Sequence, residues 1–183
     1  MKVQIIYSSL SGKTRRLAEY LFSHLSQQEK SIHDLKDGPV VIDGDVVLLG
    51  YWVDKGGPSK EMQELINGLK DKAVGIFCTL AYYADSSHAV NSVRAGVELA
   101  AKNNTVIGSY VCNGALSESM IASFRKNGNS GPHSASPENE IRWAAMKNHP
   151  TENEMKLAVE RFEERIAIYQ KYLEQDLTFR SVL

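Results

Sequence analysis

The chain has 183 residues, of which 43% are hydrophobic and 23% charged, and its formal net charge is -1. This length suits one domain with a full core, and 13 Gly, 5 Pro and 2 Cys exclude a disordered, collagen-like or disulfide-based protein. No apolar run approaches the roughly 20 residues that span a bilayer, and the N-terminus has no sustained signal-sequence pattern. We therefore expect a cytoplasmic protein with reduced thiols and no membrane contact. Because the charges are balanced and unsegregated, we also expect no nucleic-acid partner.

Four apolar runs rich in β-branched residues predict buried strands at Val3–Tyr7, Asp45–Gly50, Ala73–Cys78 and Thr105–Cys112. Their nearly continuous apolar character is typical of a parallel sheet that is covered on both faces. A weaker fifth strand is predicted near Ser31–Leu35, where residues 37–39 form a turn.

Segments with helical spacing of apolar residues separate these strands. Three of them contain Leu17, Leu21 and Leu25; Met62, Leu65, Ile66 and Leu69; and Val90, Val93, Val97 and Ala100. Gly57 and Pro58 are expected at the N-cap and in the first turn of the second helix. The last helix carries Met155, Val159, Phe162, Ile166, Tyr169 and Leu173, and Thr151 with Glu154 predicts a capping box at its start.

This alternation predicts βαβ units in an α/β three-layer sandwich with a five-stranded parallel sheet. Residues 113–150 interrupt it with two short predicted helices, near Ser117–Lys126 and Ser136–Lys147, around a Gly/Ser/Pro-rich loop at 127–136. We interpret this segment as an insertion over the carboxyl edge of the sheet, before the C-terminal helix. The whole chain, residues 1–183, is then a single domain.

The loop after the first strand is the first candidate site, since ligands of open α/β sheets bind at the carboxyl ends of strands. It reads Ser9-Leu10-Ser11-Gly12-Lys13-Thr14 and leads into a helix. Its three hydroxyls, its glycine backbone and the helix N-terminus predict an anion site. Helix capping alone is one alternative. A P-loop is another, but it requires glycine at the position of Tyr7.

Several residues around this loop have the spacing of the flavodoxin signature, namely Ile5-Ile6-Tyr7, Ser9, Gly12, Thr14, Ala18 and Leu21. The chain therefore resembles the flavodoxin family, over most of its length and less so in residues 113–150. The resemblance implies the strand order 2-1-3-4-5, with the phosphate of FMN held by this loop at the switch point.

The resemblance also implies that two further loops hold the flavin ring. In Trp52-Val53-Asp54-Lys55-Gly56 the stacking aromatic is Trp52, with Tyr51 second, unless Trp52 is a core residue. A peptide flip that stabilises the half-reduced flavin is implied within residues 54–57. Lys55 is either a solvated loop charge or a cation near the ring.

The other ring loop is Thr79-Leu80-Ala81-Tyr82-Tyr83, in which one of the two tyrosines is implied to stack on the flavin. Asp85 and Ser86 could be contacts of this site or caps of the next helix. His88 could be a surface or capping residue or a proton donor.

Other chemistry has little support in the sequence. Cys78 and Cys112 could form a redox pair, but without a Cys-x-x-Cys motif or a flanking basic residue we expect inert thiols. His133 and His149 lack metal-ligand spacing, and neither a nucleophile elbow nor an H-E-x-x-H motif occurs. We therefore expect no catalytic side chain and no metal.

These features favour an FMN-binding carrier that passes electrons to a partner oxidoreductase. The alternative is an FMN-dependent oxidoreductase that acts directly on a quinone, a tetrapyrrole or a similar flat substrate, with residues 113–150 as a pocket wall. A module that has lost its cofactor is disfavoured by the phosphate loop. Flavodoxins are usually strongly acidic, so this nearly neutral chain suggests a more apolar docking contact or direct enzymatic use. The sequence leaves the oligomeric state open.

Overall fold

The elements follow one another in alternating order in the computed structural model, which describes residues 1–126 and 134–181. They are β1 (Val3–Tyr7), α1 (Lys13–His24), β2 (Lys30–Asp34), a short 3-10 helix (Leu35–Asp37), β3 (Val46–Asp54), β4 (Gly57–Pro58), α2 (Lys60–Gly68), β5 (Ala73–Leu80), α3 (Ser87–Ala100), β6 (Thr105–Asn113), α4 (Glu118–Lys126), α5 (Pro137–Met146) and α6 (Glu152–Glu174). No helix within these residues is both long enough and apolar enough to cross a membrane.

The main sheet has the parallel strand order β2-β1-β3-β5-β6. The strand β1 lies between its neighbours, with Val3 opposite Lys30 on one side and Val46 on the other. The two-residue strand β4 pairs antiparallel with β3 and lies off this path. Without β4, the order is the predicted 2-1-3-4-5, so the predicted fold class is confirmed.

Two apolar cores cover the two faces of the sheet, which confirms the three-layer sandwich. One core contains Leu48 of β3 together with residues of α1 and α6, including Leu21 and Phe162. The other contains Val47 and Leu49 of β3 together with residues of α2 and α3. Because successive side chains of a strand point to opposite faces, a strand between two cores is apolar at every position.

The end of β3 and the start of α2 differ from the sequence predictions. The strand continues from the predicted end at Gly50 to Asp54, because its additional residues pair with the end of β5, as Trp52 does with Thr79. The predicted positions of Gly57 and Pro58 at the start of α2 are wrong. These residues form β4, and Ser59 is the N-cap of the helix.

The other predicted elements lie close to their expected bounds. The capping box of α6 is confirmed, because Thr151 Oγ1 accepts from the Glu154 N–H at 3.3 Å and the Glu154 carboxylate accepts from the Thr151 N–H at 2.6 Å. The two short helices of the 113–150 segment are present as α4 and α5. Residues 127–133 of the loop predicted between them, with His133, lie outside the described residues.

Candidate functional site

The three predicted site loops meet at one edge of the sheet. The strands β1, β3 and β5 are adjacent and parallel, so the loops that follow them leave the sheet at the same edge. The first loop is bonded to β3, since the Ser8 N–H donates to the Gly50 carbonyl at 2.8 Å. The end of β3 is paired with the end of β5 through Trp52 and Thr79.

The start of α1 keeps backbone donors available. Gly12 is the N-cap, with a left-handed φ of 83°, and a Cβ at this position would meet nothing within 4 Å. The Ser9 hydroxyl accepts the N–H of Arg15 at 3.2 Å. The N–H groups of Lys13 and Thr14 have no acceptor within the helix and make no hydrogen bond to a described residue. Capping thus accounts for one hydroxyl of the loop, and the helix start remains open to an anion.

The hydroxyl of Thr14 connects the first loop to the end of β5. Thr14 is 1% exposed, and its Oγ1 lies 2.9 Å from Oγ1 of Thr79. Ser9 is also buried, whereas Leu10 between the hydroxyl-bearing residues is 49% exposed. Two hydroxyl-bearing side chains of this loop are therefore buried, and its apolar side chain faces solvent.

Cationic side chains surround the same loop. The Lys36 ammonium donates to the carbonyl of Ser9. The Lys13 ammonium donates to the carbonyl of Lys147 at 3.0 Å, just beyond the last turn of α5. Burial lowers the pKa of Lys13, and the nearby Arg16 charge adds to this effect. Positive charge next to open N–H donors suits a phosphate group.

Tyr7 distinguishes this loop from a P-loop. It occupies the position where the P-loop motif requires glycine, and its side chain is 4% exposed in the core that faces α1.

The part of the chain that is described contains no cluster of three or more His, Cys, Asp or Glu residues that could hold a metal ion.

Next to Trp52, at the edge of the sheet, lies a carboxylate that the sequence did not reveal as a site residue. It belongs to Glu61 in the first turn of α2, and it accepts a hydrogen bond from the Ser8 hydroxyl. Burial alone would raise the pKa of Glu61, but the hydrogen bond from Ser8, with smaller contributions from its own backbone, Ser59 and Trp52, outweighs burial and lowers it. Trp52 is half-buried, so its ring keeps exposed surface.

The hairpin between β3 and β4 carries the other residues of the first ring loop. Asp54 pairs with Gly57, and the two residues between them, Lys55 and Gly56, have φ values of 49° and 84°. Two positive φ values are typical of two-residue hairpin turns, and lysine adopts this conformation only with strain. Lys55 is exposed, while the half-buried Val53 packs against the core that faces α2 and α3.

The second ring loop starts buried and ends exposed. Thr79 and Leu80 are still part of β5, Ala81 and Tyr82 are half-buried, and Tyr83 is 47% exposed. The centroids of the two tyrosine rings lie 5.1 Å apart at an interplanar angle of 65°. The loop thus presents two differently oriented aromatic faces.

The residues that follow this loop have structural partners. The Asn113 side chain at the end of β6 accepts the N–H of Ala84 at 2.7 Å. Ser86 caps α3 by accepting the N–H of Ala89 at 3.2 Å. His88 is exposed, and its ring centroid is 6.0 Å from that of Tyr82 in an edge contact.

The helix α5 adds a residue to this edge that the sequence predictions missed. Arg142 is 8% exposed, and its guanidinium carbon lies 4.6 Å from the ring centroid of Tyr82 and 5.9 Å from that of Tyr83. One feature of the sequence could have revealed Arg142 as a buried residue. It has helical spacing with Asn139, Trp143 and Met146, and together these residues form one buried face of α5. A charged residue on such a face is rarely buried without a partner.

The two cysteines are on opposite faces of the sheet. Cys78 belongs to the core that faces α2 and α3, and Cys112 belongs to the core that faces α1 and α6. Burial raises the pKa of Cys78 to about 12 and that of Cys112 well above its usual value. His149 is paired with Glu154, with Nδ1 and Oε2 2.6 Å apart. These groups therefore have structural surroundings rather than those of a redox pair or a metal site.

Comparisons with known proteins identify the family. A family model that describes a flavodoxin domain matches residues 4–163. The flavodoxin-like domain-containing protein BilS of Clostridioides difficile is 29% identical over 153 residues, which cover 81% of this chain and 84% of that protein. Its counterpart in Clostridium symbiosum is 23% identical over 141 residues and covers 68% of this chain and 74% of its own. Oxidised flavodoxin 1 from Bacillus cereus superposes with a TM-score of 0.50 at 15% identity, over 82% of this chain and 100% of that chain. This chain belongs to the flavodoxin family, and FMN is its cofactor.

Proposed function

We propose that this protein is an electron carrier that uses FMN to pass electrons, one or two at a time, to a partner oxidoreductase. The supporting observation is that a helix start with open N–H donors and two aromatic loops lie at the same edge of the sheet. FMN has an anionic phosphate at one end and a flat apolar ring at the other, so it requires this combination. When bound, FMN supplies the redox chemistry, and the side chains bind it, orient it and tune it.

The phosphate end of this proposal is the loop of residues 9–14. Ser9, Ser11 and Thr14 donate hydroxyls, Gly12 lets the backbone approach, and the open N–H groups at the start of α1 add further donors. Leu10 and Lys13 contribute their backbone. The positive end of the helix dipole and the Lys13 charge both favour a doubly charged phosphate.

The ring end consists of Trp52 and one of the two tyrosines after β5. Because Trp52 is paired with Thr79 in the sheet, its backbone position is set before the ligand arrives. The hairpin of residues 53–56 and the segment 79–81 supply backbone groups at the edge of the ring. A peptide flip within residues 54–57 fits the strained φ of Lys55 beside the permissive Gly56.

The proposed carrier meets its partner through a weakly charged surface. The net charge is -1, and two large apolar side chains next to the site, Leu10 and Tyr83, are 49% and 47% exposed. Apolar contact needs no long-range steering, so the rate of electron transfer to the partner should change little with ionic strength.

We further propose that residues 1–183 form one domain, in which residues 113–150 are an insertion over the carboxyl edge of the sheet. The contact of Lys13 with the end of α5 and the contact of Arg142 with Tyr82 support this arrangement. Because the thiols of Cys78 and Cys112 lie in different cores and remain free, the chain suits a reducing compartment, and we propose that it works in the cytoplasm.

The same position of α5 supports the second candidate function. A helix that reaches from the phosphate loop to the tyrosine loop can wall off a pocket over the flavin. The chain would then be an FMN-dependent oxidoreductase that acts directly on a quinone, a tetrapyrrole or a similar flat substrate.

Reductive titration separates the two functions. The purified protein should be yellow and should release FMN rather than FAD on denaturation. Stepwise addition of dithionite should reveal a stable one-electron-reduced form, and NAD(P)H with a quinone should react slowly unless a reductase is added. Rapid quinone reduction without a reductase would replace the carrier with the enzyme. A colourless protein that does not bind added FMN would reject both functions.

A further inference from the structure

Arg142 is a buried cation whose hydrogen bonds are incomplete. Its Nη1 lies 3.3 Å from the Glu138 carboxylate, and its Nη2 donates to the side chain of Asn139. Its Nε is buried and has no hydrogen-bond partner among the residues that the structure describes. A buried donor without an acceptor is costly. Among the described residues this N–H therefore remains available to an acceptor that a ligand supplies.

The positive charge of Arg142 is only weakly neutralised. Its carboxylate partner, Glu138, is 79% exposed, whereas the Arg142 side chain is 8% exposed. Water screens an exposed carboxylate, so this ion pair contributes little. Asn139 is neutral. The positive charge of the guanidinium is thus little compensated, and because the side chain is buried, its effect on a neighbouring ligand is strong.

The guanidinium lies beside the tyrosine loop, so a flat ligand bound at that loop would be its neighbour. It is close to both rings, 4.6 Å from Tyr82 and 5.9 Å from Tyr83. A ring that stacks on either tyrosine from the site side is therefore within reach of Arg142. At the C-terminal end of the same helix, the Lys13 ammonium donates to the Lys147 carbonyl, so α5 is anchored at the loop of residues 9–14.

We infer that Arg142 donates its unpaired N–H to the flavin ring and thereby favours the reduced, anionic form of the ring. This inference rests on the proposed function. Two-electron reduction of the neutral ring takes up two electrons and, near neutral pH, one proton, so the reduced ring gains one negative charge. A charge-assisted hydrogen bond forms with that charge and has no equal in the oxidised state. Cationic groups near the ring nitrogens are among the means by which proteins tune flavins.

The test compares the affinity for oxidised FMN with the two-electron midpoint potential, measured against indicator dyes during dithionite reduction. In Arg142→Gln the reduced ring should lose about tenfold more affinity than the oxidised ring, which lowers the midpoint by about 30 mV. Arg142→Lys should retain part of the effect. Arg125→Gln is the matched control, because it removes the same charge from the same segment at a side chain that is 55% exposed and paired with Glu140. Its midpoint should equal that of the wild type.

A second variant keeps the inference testable if Arg142→Gln does not fold. Glu138→Gln alters an exposed side chain and removes the charge that opposes Arg142, so the reduced ring should gain about twofold in relative affinity. Failure of the wild type to bind FMN would refute the proposed function itself. Normal FMN binding with unchanged midpoints in the folded variants would refute only the role of Arg142. Tighter binding of oxidised FMN by Arg142→Gln without a midpoint shift would show that Arg142 merely occupies the ring site, and would also overturn the inference.

Discussion

Replacing Thr14 with valine tests the proposed phosphate site at a single buried atom. Thr14 is 1% exposed, and its hydroxyl lies 2.9 Å from the Thr79 hydroxyl. Valine keeps the shape and removes the hydroxyl. A hydrogen bond to a charged group contributes about 1.5–3 kcal/mol, so the affinity for FMN should fall by roughly 10- to 100-fold. The free energy of unfolding should also fall by about 1–3 kcal/mol, because the Thr79 hydroxyl loses its partner.

Flavin fluorescence titration and urea unfolding measure these two effects separately. Riboflavin lacks the phosphate, so Thr14→Val should weaken the binding of FMN and leave that of riboflavin nearly unchanged. Thr79→Val is the matched control: it should lower stability but keep most of the affinity for FMN. The double variant Thr14→Val/Thr79→Val should regain stability, since neither hydroxyl is then left unpaired. FMN affinity equal to that of the wild type in Thr14→Val, or equal losses for both flavins, would refute the placement of the phosphate.

Three other predictions follow from the structure. Gly12→Ala places a side chain at a φ of 83°, so it should cost about 1–2 kcal/mol of unfolding free energy and weaken FMN binding, with Gly12→Asn milder in both assays. Burial alone would raise the pKa of Glu154, but hydrogen bonds from Thr151 and His149 lower it; this stabilisation is complete above the unfolded value of 4.5 and is lost as the pH falls through the lowered folded value. Glu154→Gln should therefore lower the free energy of unfolding at about pH 7 and reduce its further decrease towards about pH 3. If urea unfolding shows the same decrease at acid pH in the variant as in the wild type, this prediction is wrong. Because burial raises the pKa of Cys78 and Cys112, a thiol reagent should label both in urea and neither in the native protein; rapid native labelling would show that a core opens.

The strands of the main sheet could be predicted because each lies between two cores. Residues such as Val47 and Leu48 face opposite cores, so the whole strand is apolar and stands out in the sequence. The end of β3 could not be predicted in the same way. Its last residues are polar or half-buried, and they are extended because Trp52 pairs with Thr79 and the hairpin pairs Asp54 with Gly57. Such pairing depends on partners that are distant in the sequence.

The candidate site shows the same division. The proposed phosphate loop could be predicted because its three hydroxyl-bearing residues lie within residues 9–14 and a helix follows at once. The carboxylate next to Trp52 was not recognised, because Glu61 is nine positions away in the chain and has the ordinary place of an acidic residue in the first turn of a helix. Arg142 was not recognised because its contact with Tyr82 joins two separate segments.

Residues that are neighbours along the chain produce the alternation of strands and helices, the loop that suits a phosphate and the resemblance to flavodoxins, so these features could be predicted from the sequence. The folded arrangement was needed to establish which groups from distant segments share the carboxyl edge of the sheet. It joined Thr14 to Thr79 and brought Arg142 to the tyrosines. Contacts of this kind follow from strand order and helix packing, which bring together residues that no local pattern connects.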